Sequence, residues 1–293
     1  RNLVPEDLNA QWKLVTAAER TALIEKASLE NPVDVSFRIV NPGFCQRVDD
    51  SVWNFTNASI WGRGDNHNDF VAESWNTSNC EISQNVENMP AGIYAVWANG
   101  FYRNGDHANA TEIIDEQKVQ IPGQPDNEKV SYAFLQAGND PEDDVELPNI
   151  TNAGGTAPGQ GAEVTATDGT KYYYPQFTYQ ATEWFRLGLY SAHTVINFSE
   201  AGDLFIAVAK PEGEYNAKDW VVADNFRIVY YGADTTKEEV AKAIEEATGV
   251  EDIEVAPAQR PADGRIYNIQ GIEVKNATAP GLYIRDGKKL IVR

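Results

Sequence analysis

Between Val33 and Gly232 the chain reads as strands and turns, with stretches in which apolar and polar residues alternate as they do along strands with one face buried. VDVSFRIV opens the pattern, and AGIYAVWANGFYR (91–103) carries it on after a break at Pro90. HTVINFS (193–199) and DLFIAVAK (203–210) flank Glu200-Ala201-Gly202, which reads as a hairpin turn. DWVVADNFRIVYYG (219–232) closes the region. TEWFRLGLY (182–190) fits a short helix or an irregular strand, and 138–170 reads as long loops rich in Gly, Pro, Asn, Asp and Thr.

The flanks follow other patterns. Residues 1–30 read as helix, with a capping box at Thr16-Ala17-Ala18-Glu19 and a stop at Asn31-Pro32. TKEEVAKAIEEATG (236–249) is a charged helix supported by i,i+4 pairs, with Gly249 placed to cap it. VEDIEVAPAQRPADG follows as an acidic linker. From Asp263, GRIYNIQGIEV, GLYIRDG and KKLIVR read as three short strands, with Asp286-Gly287 as a turn. The expected organisation is a helical lead-in over 1–32, an antiparallel β-sandwich over 33–232, a linker helix and acidic linker over 233–262, and a small β unit over 263–293. The fold class is all-β.

Composition narrows the function. The chain has 293 residues and a net charge of −20, which repels phosphate backbones and argues against nucleic acid as partner. No run has the apolar length of a membrane span. Aromatic residues make up 11% of the chain, which favours β structure or a stacking surface. Cys45 and Cys80 have no metal-type spacing and can form one disulfide in an oxidising compartment. The start at Arg, without Met, reads as a processed or trimmed terminus.

Seven stretches occur in a telling order: PVDVSFRIVNPGF, Trp53, AESWN, MPAGIYAVWANGFYRNG, ATEWFRLGLY, GDLFIAVAK and DWVVADNFRIVYYG. Together they resemble the galactose-binding-like β-jelly-rolls of carbohydrate-binding modules from secreted glycan-utilisation proteins of anaerobic Gram-negative bacteria. The resemblance covers roughly 33–232. It implies two antiparallel sheets packed face to face. It also implies a structural calcium at one edge, with Asp224 of the last strand among its ligands. The family often places a carboxylate after the NPGF-type motif, where this chain has Cys45. The tail from Gly264 resembles the C-terminal sorting domains of type IX secretion substrates. That likeness implies export to the cell surface or beyond, contact with the secretion machinery, and an oxidising compartment for a Cys45–Cys80 disulfide.

The residues nominate sites of their own. Strict alternation puts Asp224 on one face with Val222, Phe226, Ile228 and Tyr230, where a buried charge needs a partner. Calcium is one candidate partner, with Asn41 or backbone carbonyls as co-ligands; backbone N–H groups at a strand edge are the other. For a sugar, Trp61 in the polar loop NASIWGRGDNHND offers a stacking face, and Tyr102 and Arg103 offer a second ring and a fork of donors. Trp53, Trp75, Trp97 and Trp220 read as core, and at least two of Tyr172, Tyr173 and Tyr174 as ordinary strand. Arg63-Gly64-Asp65 spells the integrin-adhesion tripeptide and reads as a polar turn. No GxSxG, HExxH or phosphate-loop motif occurs, and His67, His107 and His193 have no triad or metal spacing. The expected function is non-catalytic glycan binding by a secreted or cell-surface protein. The alternatives are a structural or adhesion protein using the sandwich for protein contacts, and an accessory fragment of a glycoside hydrolase.

Overall fold

The computed structural model describes residues 17–44, 52–62, 70–103, 131–150, 162–165, 171–212 and 219–248, and beyond them the strands 266–268, 273–274, 281–285 and 288–292. In chain order the earlier strands are β1 (Val33–Asp34), β2 (Asn54–Thr56), β3 (Ser59–Trp61), β4 (Val71–Trp75), β5 (Cys80–Met89), β6 (Gly92–Arg103) and β7 (Phe134–Ala137). They continue with β8 (Val145–Glu146), β9 (Ala162–Thr165), β10 (Lys171–Tyr174), β11 (Ser191–Phe198), β12 (Gly202–Lys210) and β13 (Trp220–Tyr230). The helices are α1 (Ala17–Ile24), α2 (Thr178–Arg186) and α3 (Lys237–Thr248).

Two antiparallel sheets make a β-sandwich of jelly-roll type. The first runs β11-β6-β13-β4-β3 with β1 beside β13, and the second runs β2-β5-β12-β7-β8. Alternation explains the layer between them. Ile82 and Val86 of β5, Leu204, Ile206 and Val208 of β12, and Tyr94, Val96 and Tyr102 of β6 all point into one buried core. Phe44, Trp53 and Phe226 close one part of it, with ring centroids 4.9 Å apart for Phe44–Trp53 and 5.0 Å for Trp53–Phe226. The NPGF turn feeds Phe44 inward. Asn41 takes a left-handed φ of 50°, its carbonyl accepts from the Phe44 N–H at 3.2 Å, and the Pro42 carbonyl accepts from Phe226 N–H at 2.9 Å.

Several elements differ from the alternation pattern for local reasons. VDVSFRIV stays a strand only over Val33–Asp34, because the Asp34 carboxylate accepts from Ser36 N–H at 3.0 Å and turns the chain into a short 3-10 segment, Ser36–Arg38. The stretch 182–190 is largely helix: α2 starts where the Gln180 side chain accepts from Gln176 and Phe177 N–H at 2.8 and 3.1 Å. The Tyr triplet lies in β10, paired to β9. At Asn225, φ is 51° and the β13–β6 register shifts between Asp224 and Arg227. This bulge breaks strict alternation. Phe226, Ile228 and Tyr230 therefore join Val221 and Ala223 in the core, whereas Asp224 shares the outward face with Trp220 and Val222.

The chain divides into two compact units, 1–243 and 244–293, with the dividing line inside α3. The start of α3 belongs to the first unit. Thr236 and Glu239 cap it reciprocally at 2.9 and 3.2 Å, the Lys237 ammonium pairs with Asp143, and Val240 is buried. The second unit carries β14 (Ile266–Asn268), β15 (Glu273–Val274), β16 (Gly281–Arg285) and β17 (Lys288–Val292), in the order β15-β14-β16-β17. GRIYNIQGIEV, expected as one strand, makes two, paired Ile266 to Val274 and Tyr267 to Glu273. Cys45, the RGD tripeptide and Gly249 lie outside the described residues.

One ionic contact ties the sheets together. Lys210, at the end of β12, donates from Nζ to Asp219 Oδ2 at 3.2 Å and to the Thr77 carbonyl at 2.6 Å. Asp219, just before β13, also accepts from the Tyr102 hydroxyl at 2.7 Å. Both charged side chains are only 1% exposed. Removing one partner leaves the other charge buried without its counter-ion. Lys210→Met is therefore expected to lower stability by about 3–5 kcal/mol, measured by urea unfolding. Adding Asp219→Asn to that variant should recover part of the loss, and strictly additive losses would show that the pair is not coupled.

Candidate functional site

The outward face of the first sheet collects the side chains that could meet a ligand. In β4, Val71, Glu73 and Trp75 are two apart and share that face. Register then aligns Trp75 with Trp220 of β13, and Trp220 with Arg103 of β6, in one row across three strands. The Arg103 guanidinium carbon lies 5.0 Å from the Trp75 ring centroid and 4.9 Å from that of Trp220, close enough for cation–π attraction to both. Beside β4, the edge strand β3 pairs Ser59 with Glu73 and Trp61 with Val71, so Trp61 faces the same way. Trp61 is 53% exposed and Trp75 45%.

The row has a firm backing. Phe101, next outward on β6, packs on Trp220 and Tyr190 at 5.1 Å each and on Phe185 of α2 at 6.0 Å. Trp184 and Tyr174 complete this second apolar cluster, and the Tyr190 hydroxyl donates to the Ile150 carbonyl. Trp220 is buried against it and donates from Nε1 to Glu73 Oε2 at 2.6 Å. Burial pushes the Glu73 carboxyl above the ordinary Glu value, opposed by that indole bond and by the charge of Arg103. The site therefore offers exposed indoles above a buried, charged and aromatic base.

The residues nominated from sequence part company here. Trp61, expected in a polar loop, ends the edge strand β3 instead and is exposed there. Arg103 is on that face but only 3% exposed, so its fork is enclosed by the two indoles. Tyr102 is fully buried and points the opposite way, into the core, because neighbours on a strand alternate; its hydroxyl is bonded to Asp219. Asp224, 5% exposed, accepts from Asn225 N–H at 2.8 Å and from Asn225 Nδ2 at 3.1 Å. Asn41 lies in the turn described above. Among the described residues no three His, Cys, Asp or Glu side chains come together as a metal site. Calcium takes six to eight oxygens, so a site at Asp224 and Asn41 draws on backbone carbonyls as well. Trp53 is core, as expected. Trp75 and the half-buried Trp97 are not, and Trp75 is the residue that the strand pattern could have revealed: it lies two positions from Glu73, and a face carrying that carboxylate is a poor candidate for the sandwich interior.

No family model matches the chain, and no curated protein matches it. Carbohydrate-binding modules are among the solved structures that align with it. One is a family 61 module, TmCBM61, solved in complex with β-1,4-galactotriose: 16% identity, TM-score 0.33, covering 65% of this chain and 96% of the module. Another is the C-terminal family 6 module of LamC from Zobellia galactanivorans: 8% identity, TM-score 0.28, covering 62% and 94%. A family 16 module aligns at 14% identity and TM-score 0.27, covering 70% and 98%.

Glu73 gives the site a pH signature. Because its folded-state pKa is raised, its contribution to stability is fully present below the unfolded pKa and is lost as pH rises through the folded one. Glu73→Gln keeps an acceptor for the Trp220 indole and removes the buried charge. The variant should gain stability relative to wild type as pH rises from the acid range to neutrality, read from melting temperatures across that range. Parallel wild-type and variant curves would contradict this account.

Proposed function

We propose that the first unit binds a glycan on the outward face of its first sheet and does so without catalysis. The observation that carries this reading is the pair of half-exposed indoles, Trp61 and Trp75, on one flat β face beside Ser59 and Glu73. A pyranose ring presents an apolar C–H face that stacks on an indole, while its hydroxyls take polar partners at the rim. Arg103 then acts as a positioning residue, fixing Trp75 against Trp220. Export to the cell surface through the C-terminal unit belongs to the same reading and rests on the resemblance of the tail to sorting domains.

A screen against plant and host polysaccharides, followed by calorimetry on the best ligand, tests this. Loss of one stacked ring should weaken binding about tenfold, so Trp75→Ala and Trp61→Ala should each show that loss while Tyr102→Phe binds as wild type. Unchanged affinity in both tryptophan variants would remove the site from this face. Capture of a protein with no glycan bound would favour the adhesion alternative.

A structural calcium at Asp224, with Asn41 or backbone carbonyls as co-ligands, is a separate proposal supported by the burial of that carboxylate. It requires the wild-type melting temperature to rise between chelator and added calcium, and Asp224→Ala to abolish the rise. Identical wild-type curves would leave Asn225 as the partner that satisfies Asp224.

A further inference from the structure

A second row crosses the same outward face further along β6. Register aligns His193 of β11 with Trp97 of β6, and Trp97 with Arg227 of β13. The His193 ring stacks on the indole at 5.9 Å with an interplanar angle of 25°, and the Arg227 guanidinium carbon lies 5.1 Å from the indole centroid. Six residues of strand separate Trp97 from Arg103, roughly 20 Å at strand rise, so this row is distinct from the one containing Trp75.

Its polar atoms face outward with little to bond. Arg227 Nε donates to Asp34 Oδ2 at 2.7 Å, and the Arg227 side chain is 48% exposed. Among the described residues its two terminal nitrogens, the Trp97 Nε1–H and the His193 ring nitrogens have no hydrogen-bond partner. His193 is exposed and Trp97 half-buried. His193 covers the Trp97 indole from one side and Arg227 from the other, so the flat ring face the row offers is that of the exposed His193, beside a guanidinium fork and an indole donor. A carboxylate matches the fork with two parallel charge-assisted bonds, and a pyranose ring matches the flat face.

We propose that His193, Trp97 and Arg227 form a subsite for an acidic sugar, with the carboxylate of a hexuronic acid on Arg227. The subsite extends the glycan reading and rests on it. Asp34 is its built-in competitor: it holds Nε and offsets part of the guanidinium charge. A −20 chain repels polyanions at long range, so affinity here depends on these short contacts rather than on the overall field.

The test compares an oligogalacturonate with its methyl ester, which keeps the ring and removes the charge, by calorimetry on the full chain. Wild type should bind the acid about tenfold more tightly than the ester. Arg227→Gln should erase that preference and leave binding of neutral glycans dependent on Trp75. Asp34→Asn, which keeps an acceptor for Ser36 N–H and removes the competing charge, should widen the preference. Equal binding of acid and ester by wild type overturns the subsite, as does a preference that survives Arg227→Gln. Neutral binding through Trp75 without any acid preference rejects this subsite alone. Absence of binding to any glycan rejects the glycan reading with it.

Discussion

The Lys210–Asp219 pair is the contact on which the geometry of the sandwich turns. Each sheet could slide over the other if apolar packing alone joined them, since such packing is non-directional. A buried ion pair is not. Lys210 ends a strand of the second sheet, Asp219 precedes the central strand of the first, and Tyr102 of the neighbouring strand donates to the same carboxylate oxygen. The Lys210 bond therefore sets the start of β13 against β12, and the Tyr102 bond to the same carboxylate sets it against β6. That starting point decides which residues of β13 meet Arg103 and which meet Trp97.

The outward face is accordingly a product of register. Trp75, Trp220 and Arg103 are far apart in sequence and become neighbours because three strands align them. The cation between indoles lends rigidity to a tryptophan that is otherwise half in solvent, and a stacking surface gains from being held in place before a ligand arrives. The apolar cluster under α2 supplies the other half of that support. It explains why a sheet face directed away from the sandwich core still contains fully buried rings such as Phe101.

Much of the architecture was legible in the alternation pattern. AGIYAVWANGFYR, HTVINFS, DLFIAVAK and DWVVADNFRIVYYG all became long strands, and the charged stretch after Thr235 became helix. Trp61 could be singled out because its surroundings are polar. Tyr102 could not be placed from sequence: its phenol looks available until the Asp219 carboxylate, 117 residues away, is known to lie against it. Arg103 was nominated for its fork of donors, but its enclosure by two tryptophans depends on long-range pairing. Asp224 was given the wrong neighbours because period-two counting passes straight through Asn225, where a left-handed residue inserts an extra step. Asn tolerates that conformation better than most residues, yet Asn within a strand is too common a sight to announce a bulge.

That extra step has a consequence for the whole surface. On β6, Trp97 and Arg103 are an even number of positions apart and point the same way without assistance. On β13 their row partners, Arg227 and Trp220, are separated by an odd number, which in an uninterrupted strand would send them to opposite sides of the sheet. The irregularity at Asn225 restores their parity. Deleting that one residue would leave every other side chain unchanged and still dismantle one of the two rows, with either an indole or a guanidinium driven into the interior. The spacing of the chain at this point, more than the identity of any exposed residue, is what makes a single continuous surface out of two strand segments.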